Sequence, residues 1–243
     1  MPTYNDSGIV LNSYDLAEAD KILSIYTKNN GLVRAVCKGA RKSVNKYGAK
    51  ADQLSCSLFQ FAQGKNLDIV CDCELINSFP RVRTNLERLS TGVLFLEVVS
   101  NFASEDEVDS ASTYELLYNA LNDLQETENP LFHSVKFVYN FLSTHGYRPQ
   151  LESCVSCSND IERFETESNQ AYSSLLGGLL CKKCAYLIDH KKVSNEVMNL
   201  IDNINNETKP ENQFLRSGLE LLQEHINLRS RARIKSFDLV FSL

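Results

Sequence analysis

Apolar and polar side chains alternate along the first 80 residues of the chain, which is the pattern of half-buried β-strands. In the stretch LDIVCDCEL (67–75), the acidic residues Asp68, Asp72 and Glu74 share one face. The opposite face is apolar, and we expect it to be buried: Leu67, Ile69, Cys71, Cys73 and Leu75. We therefore predict a strand that packs one side against a core.

The stretch GLVRAVCK (31–38) alternates in the same way, with apolar residues on one face and Arg34 and Lys38 on the other. An Asn30-Gly31 step precedes it and predicts a β-hairpin, because both residues accept positive φ angles. Three more runs of this kind bring the prediction to about five strands. Five short strands within about 80 residues predict a small closed barrel of the OB-fold type.

After residue 80 the apolar spacing becomes helical. The first helix has one predicted buried stripe: Leu86, Leu89, Val93, Leu96 and Val99. Ser112 or Thr113 is predicted to cap the second helix, whose buried side is Leu117, Leu121 and Leu124. Gly146 is predicted to end a third helix, and two more are expected near 195–205 and 212–228.

Two Cys-x-x-Cys pairs, CVSC and CKKC, have the spacing of a four-sulfur metal site. The predicted ligands of one structural zinc ion are Cys154, Cys157, Cys181 and Cys184. Two disulfides or four ordinary buried thiols are the alternatives, and a reducing compartment disfavours the disulfides. The remaining cysteines are expected to be small buried apolar residues: Cys37, Cys56, Cys71 and Cys73.

These elements predict an α+β fold, in which an N-terminal OB-fold barrel precedes an α-helical bundle with an inserted four-cysteine zinc module. The predicted domains are the barrel at 1–80, the first helical part at 81–150, the zinc-ribbon-like module at 151–190 and the C-terminal helical part at 191–243. No run approaches the ~20 apolar residues of a membrane span, and the start has no signal-peptide pattern. We therefore expect a soluble cytoplasmic protein without membrane contact.

Charge is distributed unevenly along the chain. The formal net charge is −6, yet residues 21–51 contain eight Lys or Arg and no Asp or Glu. Beside a predicted OB-fold, such a segment favours contact with a nucleic-acid backbone over a merely solubilising loop. The predicted phosphate contacts are Arg34, Lys38, Arg41, Lys42, Lys46 and Lys50. Tyr26 and Tyr47 are candidates for base stacking or for the core.

Two other charged stretches allow several interpretations. Near the C-terminus, an extended chain would place four alternating cations on one side: Arg229, Arg231, Arg233 and Lys235. They are candidates for a wider DNA surface, for binding an acidic peptide tail, or for an exposed basic terminus. The acidic stretch SEDEVD (104–109) is expected to be a solvated connection rather than a metal site.

Four stretches of the sequence carry a resemblance to a known family: GIVLNSYDLAEADKILSIYTKNNGLVRAVCKGARKS, LERLSTGVLFLEVV, THGYRPQLESCVSC and GGLLCKKC. Along nearly the whole chain the sequence resembles the RecO family of bacterial recombination mediators. The resemblance implies an OB-fold, a helical bundle and, as in many members, an inserted zinc module. The family often has glycine after the first cysteine pair, where this chain has Ser158.

The resemblance also implies a non-enzymatic function in DNA repair and recombination at the nucleoid. It implies binding of single- and double-stranded DNA and annealing of complementary strands. With RecR as partner, such proteins help RecA to displace single-strand-binding protein. The resemblance points to the helix ahead of Gly146 as the site for the C-terminal tail of single-strand-binding protein, with Lys136, Phe137 and Tyr139 as candidates.

Other classes of function remain as alternatives. The chain could be a zinc-stabilised scaffold for protein interactions, or an RNA-binding factor built from an OB-fold and a zinc ribbon. A nuclease would need clustered carboxylates around a divalent ion, and SEDEVD is the only concentrated supply. A nucleotide-binding loop is disfavoured, because QGKN (63–66) lacks the P-loop spacing.

Overall fold

In the computed structural model, the chain forms two compact units, Met1–Glu128 and Asn129–Leu243. The structure describes residues 1–16, 18–42, 46–105, 109–161, 169–206 and 211–243. Within these ranges, no helix has both the length and the apolar character needed to cross a membrane. The finer four-part division stays a prediction.

The first unit begins with five strands: β1 (Thr3–Leu16), β2 (Asp20–Thr27), β3 (Gly31–Cys37), β4 (Cys56–Ala62) and β5 (Asp68–Asn77). They form a closed barrel in the order β1-β2-β3-β5-β4, and β4 pairs back to β1. Neighbouring strands are antiparallel except β3 and β5, which pair in parallel at Ala35–Asp68 and Val36–Ile69. The prediction of an OB-like barrel is confirmed.

Alternate side chains fill the barrel interior, as the period-two pattern predicts. On β3, Ala35 and Cys37 are completely buried, whereas Arg34 is exposed. The predicted hairpin joins β2 to β3, and Gly31 has a φ of 60° at its end. Of the Asn30-Gly31 pair only the glycine has positive φ, so the pair does not form the two-residue type I′ turn, and three residues, 28–30, separate the strands.

Strand β5 departs from strict alternation. The register shifts where Gln60 and Phe61 of β4 face it, which leaves Cys71 as an extra residue between two paired positions. Because of this bulge, Val70 and Cys73 both face the core. The predicted apolar face is thus right for Cys73 and wrong for Cys71, which is only half-buried, and for Leu75, which is 39% exposed.

Within the described residues of the first unit, a short 3-10 helix (Gly48–Ala51) lies between β3 and β4, and the barrel is followed by α1 (Pro80–Arg83), α2 (Leu86–Phe102) and α3 (Ser110–Glu126). The predicted buried side of α3 is confirmed, since Leu117, Leu121 and Leu124 are all 0% exposed. The predicted cap is wrong, because the helix begins earlier and the Asp109 side chain accepts the Ser112 N–H. Residues 106–108 of the acidic stretch lie outside the described residues.

Helix α2 is buried on more sides than a single stripe predicts. Leu94 and Phe95, which lie off the predicted stripe, are both 0% exposed, whereas Leu86 on the stripe is 64% exposed. Helix α2 contacts α1, α3 and β1, so it is enclosed rather than lying at the surface. A helix enclosed by several neighbours needs apolar residues on most of its sides, which hides the one-sided pattern.

The second unit combines helices with a small sheet. In chain order its elements are α4 (Pro130–Thr144), β6 (Gln170–Ser173), β7 (Gly178–Leu180), α5 (Lys182–Ala185), β8 (Lys191–Val193), α6 (Asn195–Asp202), α7 (Asn212–Asn227) and α8 (Ser236–Phe241). Helices α4, α6 and α7 pack together, and the strands form a sheet in the order β7-β6-β8. Helix α8 lies beyond the elements that the sequence pattern predicted.

Candidate metal centre and nucleic-acid interface

The four cysteines of the two Cys-x-x-Cys pairs lie together in the second unit. The sulfur atoms of Cys154, Cys157, Cys181 and Cys184 are all within 4.8 Å of one another. The Sγ atoms of Cys157 and Cys181 are 3.7 Å apart, which matches the edge of about 3.8 Å in a sulfur tetrahedron with metal–sulfur bonds of about 2.3 Å. All four are free cysteines. The arrangement therefore fits one tetrahedral metal ion.

Backbone hydrogen bonds hold the two pairs against each other, although Cys157 and Cys181 are 24 positions apart in the chain. Val155 N–H donates to Leu179 O at 2.8 Å, and Leu179 N–H donates to Gln150 O at 2.9 Å. These bonds fix the first pair to β7, and the second pair follows directly at the start of α5. The sheet therefore brings the two pairs together.

Ser158 follows the first pair in a left-handed backbone conformation, with a φ of 60°. Its N–H donates to Cys154 O at 2.8 Å, which closes the turn around the first two sulfurs. A residue with a Cβ atom is disfavoured there by about 1–2 kcal/mol, whereas glycine is not. The turn geometry thus accounts for the glycine that the resemblance leads us to expect at this position.

Hydrogen bonding to the backbone distinguishes two of the paired cysteines, Cys154 and Cys181, from those in the barrel. Burial raises the pKa of Cys154, but hydrogen bonds from backbone groups of both pairs outweigh it and lower the pKa to about 6. A backbone hydrogen bond from its own pair also lowers the pKa of Cys181. Burial raises the pKa of Cys37 to about 12 and also raises that of Cys56. Within the cluster, a backbone hydrogen bond from Asn159 lowers the pKa of Cys157, but a hydrogen bond with the Cys154 sulfur outweighs it and raises that pKa. A hydrogen bond with Ser156 likewise lowers the pKa of Cys184, but hydrogen bonds with the neighbouring sulfurs raise it to about 12. Cys154 and Cys181 are therefore the members of the cluster that most favour the thiolate a metal needs, whereas Cys37 and Cys56 are buried apolar residues.

The outer face of the β2–β3 hairpin has a covered half and an open half. Near the turn, α3 packs on both strands, and Tyr26 and Leu32 are only 0% and 7% exposed. Lys28 is held there, because its carbonyl accepts the Ser110 hydroxyl at 2.8 Å and its Nζ lies 2.7 Å from Glu115. Tyr26 is therefore a core residue and not a base-stacking platform.

The open half of this face carries the first two predicted phosphate contacts. Arg34 lies opposite Ser24 of β2, and Lys38 follows the end of β3. Both side chains are exposed, and neither forms an ion pair with another described residue. Lys42 is exposed as well, whereas Lys50 is half-buried in a short 3-10 helix.

Two of the predicted contacts are held in exposed ion pairs. Arg41 lies 3.3 Å from Asp15, and Lys46 lies 3.9 Å from Asp72. Exposed pairs of this kind contribute about 0–1 kcal/mol, so a phosphate group can replace the carboxylate at little cost. Residues 43–45 of the basic segment lie outside the described residues.

Tyr47, the second stacking candidate, also belongs to the barrel core. It is 4% exposed, and its hydroxyl donates to Val70 O at 3.0 Å. Burial raises its pKa to about 12. Lys46 lies 5.0 Å from the centre of the Tyr47 ring, so the tyrosine supports a cation at the surface rather than a base.

The structure adds two lysines that the sequence reasoning did not select. Lys21 is the second residue of β2 and pairs with the buried Cys37, so it lies at the end of the barrel's inner face, and Lys65 is exposed in the β4–β5 loop. That loop leads into Asp68, which pairs with Ala35 next to Arg34. OB-folds use the strand 2–3 face and the loop between strands 4 and 5 for ligands, so the predicted fold already contained this signal.

The candidate tail site is not arranged as predicted. Phe137 and Tyr139 are 2% and 5% exposed, because they face the core of the second unit rather than a groove. Lys136 is half-buried, with its Nζ 5.9 Å from the ring centre of Phe132. A docking peptide could therefore reach Lys136 and Phe132, but not Phe137 or Tyr139.

The C-terminal cations do not adopt the extended conformation that would place all four on one side. Residues 229–235 form turns between α7 and α8 instead of an extended strand. Arg229 is directed inward and donates to Ser174 O at 3.1 Å and His225 O at 2.6 Å. Arg233 pairs with Asp238 at 2.9 Å. The alternation in sequence therefore does not produce one basic surface.

A buried histidine links the small sheet to α7, and nothing in the sequence pattern indicated it. His225 is 1% exposed, with its Nδ1 2.6 Å from the Tyr172 hydroxyl and its Nε2 2.8 Å from Tyr147 O. Because a carbonyl only accepts, Nε2 carries the proton and Nδ1 accepts from Tyr172. Burial first, and the neighbouring Arg229 second, lower the His225 pKa to about 4.

Comparison with known proteins accounts for almost the whole chain. Residues 1–79 match the family model described as Recombination protein O N terminal, and residues 83–237 match Recombination protein O C terminal. The DNA repair protein RecO of Rubrobacter xylanophilus is 32% identical over 185 residues, which cover 76% of this chain and 72% of the relative. That of Acetivibrio thermocellus is 33% identical over 179 residues, or 73% and 69% of the two chains. The two matched regions and these relatives place the chain in the RecO family.

Proposed function

We propose that this protein acts in DNA repair and homologous recombination by binding single- and double-stranded DNA, without catalysing a reaction. The observation that carries the proposal is the open half of the β2–β3 face, where Arg34 and Lys38 are exposed on a barrel of the OB type. The proposed phosphate contacts are Arg34, Lys38, Arg41, Lys42, Lys46 and Lys50. Membership of the RecO family supports the same role.

Annealing follows from the same chemistry. Two DNA strands repel each other through their phosphates, and a protein surface rich in cations lowers that repulsion. Contacts to phosphates hold the backbone and leave base edges free to pair. We further propose that the protein, together with RecR, helps to load RecA onto DNA that is coated by single-strand-binding protein. In this scheme Lys136 stays a predicted contact for the acidic tail of that protein.

The binding proposal is tested by removing two charges at each of two places on the same unit. Arg34→Gln with Lys38→Gln alters the open face. Lys28→Gln with Arg81→Gln is the matched control, since Lys28 lies at the covered turn beside α3 and Arg81 lies on α1, away from the open half of the face. Affinity for a labelled single-stranded oligonucleotide is measured by anisotropy at several salt concentrations. The first variant is expected to bind more weakly and to lower the salt slope by about 1.4, or about 0.7 for each lost contact.

Equal loss in the control, or an unchanged slope in the first variant, would remove the β2–β3 face from the site. Competition with single-stranded RNA of the same length separates a DNA-binding protein from an RNA-binding factor. Annealing of complementary oligonucleotides coated with single-strand-binding protein, with the native chain and with Lys42→Glu, tests the mediator function. A protein that ignores oligonucleotides in dilute buffer would favour the interaction scaffold.

We propose that the four-cysteine centre holds a structural zinc ion. Four thiolates fill a tetrahedral shell and leave no open position for water or substrate, so the ion would stabilise the turn structure rather than act on a ligand. Tetrahedral sulfur sites hold zinc or iron, and the two are distinguished by visible absorption, because d¹⁰ zinc has none. Elemental analysis of the purified chain is expected to give one zinc per protein. Iron, or no metal, would contradict the assignment.

A further inference from the structure

The second cysteine pair presents an exposed aromatic side chain beside two lysines. Tyr186 is 91% exposed, and Lys182 and Lys183 are exposed as well. None of these three side chains makes a hydrogen bond, ion pair or ring contact with another described residue. The next residue, Leu187, is 82% exposed as well, so two adjacent large apolar side chains lie in solvent beside the lysines. An exposed apolar patch rimmed by charge is typical of a contact surface.

The cysteine pair fixes the backbone that carries these side chains. Lys182 and Lys183 lie between the ligand residues Cys181 and Cys184, and the N–H of Tyr186 donates to Cys184 O. A short turn closed by a metal ion loses little conformational freedom when a ligand binds. Such a pre-organised surface binds more tightly than the same residues on a free loop.

The local charge favours a polyanion. Residues 181–192 contain four lysines, of which Lys191 lies 2.7 Å from Glu224. Lys182, Lys183 and Lys192 are left against one carboxylate of this stretch, Asp189. The lysines of the pair also offset the negative charge of four thiolates around a divalent ion. That role explains the lysines but not the exposed ring of Tyr186. An aromatic ring for stacking and cations for phosphates are together the features of a single-strand binding surface.

We propose that Lys182, Lys183 and Tyr186 form a second contact for single-stranded DNA, in which Tyr186 stacks on a base and the lysines contact phosphates. The inference rests on the proposed DNA-binding function, and it concerns the second unit, whereas the β2–β3 face belongs to the first. The module would then bind the strand directly in addition to stabilising the fold.

The absence of tryptophan from the chain allows a direct test. Tyr186→Trp introduces a single tryptophan at the proposed contact, and Leu175→Trp introduces one in the β6–β7 turn of the same module, where Leu175 is 74% exposed. Each full-length, metal-loaded variant is titrated with oligothymidylate, and tryptophan emission and anisotropy are recorded together. Emission from the Tyr186→Trp protein is expected to be quenched in step with binding, and emission from the control is expected to stay constant.

Substitutions then separate stacking from general apolar contact. Tyr186→Phe is expected to keep the native affinity, and Tyr186→Leu to lose at least about fivefold, the lower limit for loss of one stacked base. Lys182→Gln with Lys183→Gln is expected to lower the salt slope by about 1.4. Metal content is measured for every variant, and only variants with the native content are compared.

The outcomes distinguish this inference from the proposed function. Anisotropy that reports binding while the Tyr186→Trp emission stays constant would overturn the second contact and leave the barrel face intact. Absence of any binding would overturn the proposed function and the inference together. If an acidic peptide quenches the Tyr186→Trp emission equally, the partner of this surface would be assigned as a protein instead of a nucleic acid.

Discussion

Acid is expected to destabilise the second unit through one buried side chain, His225. Its folded pKa is about 4, against an ordinary value of 6.5. Between these values the unfolded chain binds a proton at His225 and the folded chain does not, so stability falls as the pH falls. The free energy of unfolding is expected to fall by about 1.4 kcal/mol for each pH unit between the two pKa values. The total loss is about 3 kcal/mol and is complete near pH 4. About 2 kcal/mol of it is expected already at pH 5.

Guanidinium unfolding at pH 7.5, 6.5, 5.5 and 5.0 measures this loss. Carboxylates and metal-bound thiolates also take up protons in acid, so the native protein is compared with His225→Gln at each pH. An amide can still donate to Tyr147 O and accept from Tyr172 but does not titrate, so the variant is expected to lose about 2 kcal/mol less than the native chain between pH 7.5 and pH 5. Parallel curves for the two proteins would refute the assignment of a neutral, buried His225.

Three substitutions test the geometry by guanidinium unfolding. Ser158→Gly is expected to stabilise the metal-loaded protein by about 1 kcal/mol, because it relieves a positive φ of 60°; an unchanged midpoint would contradict the strain. Gly64→Ala is expected to destabilise the barrel by about 2 kcal/mol, since its Cβ would lie 1.8 Å from Leu67 O and the backbone must move; native stability would show that the β4–β5 turn is looser than described. Leu121→Ala, at a fully buried site, is expected to lose about 3 kcal/mol, and a loss below about 1 kcal/mol would indicate that the core of the first unit rearranges to fill the space.

The barrel and the metal centre could be predicted because each depends on local sequence. Strands of a half-buried barrel must alternate, and β3 does so without interruption around Arg34. Two cysteines with two residues between them can face one ion before any other contact forms, so the spacing in Cys154–Cys157 was informative by itself.

The errors arose where distant parts of the chain decide the local structure. The bulge at Cys71 depends on pairing with β4, and strict alternation cannot reveal it. Tyr26 is buried by α3, which is more than 80 positions away in the chain. The hydrogen bond between Tyr172 and His225 joins residues 53 positions apart and has no periodic or motif signal.

The barrel is closed by a parallel seam of only two residue pairs, Ala35–Asp68 and Val36–Ile69. Every other neighbouring pair of strands is joined along seven or eight positions, so separation of β3 from β5 breaks the fewest bonds. Transient opening of the cylinder will therefore begin at this junction, and its amides will exchange with deuterated solvent sooner than those shared by β1 and β2. Arg34 directly precedes the seam. The end of β3 that carries the cations is therefore the part of the barrel wall best able to adjust to an irregular DNA strand.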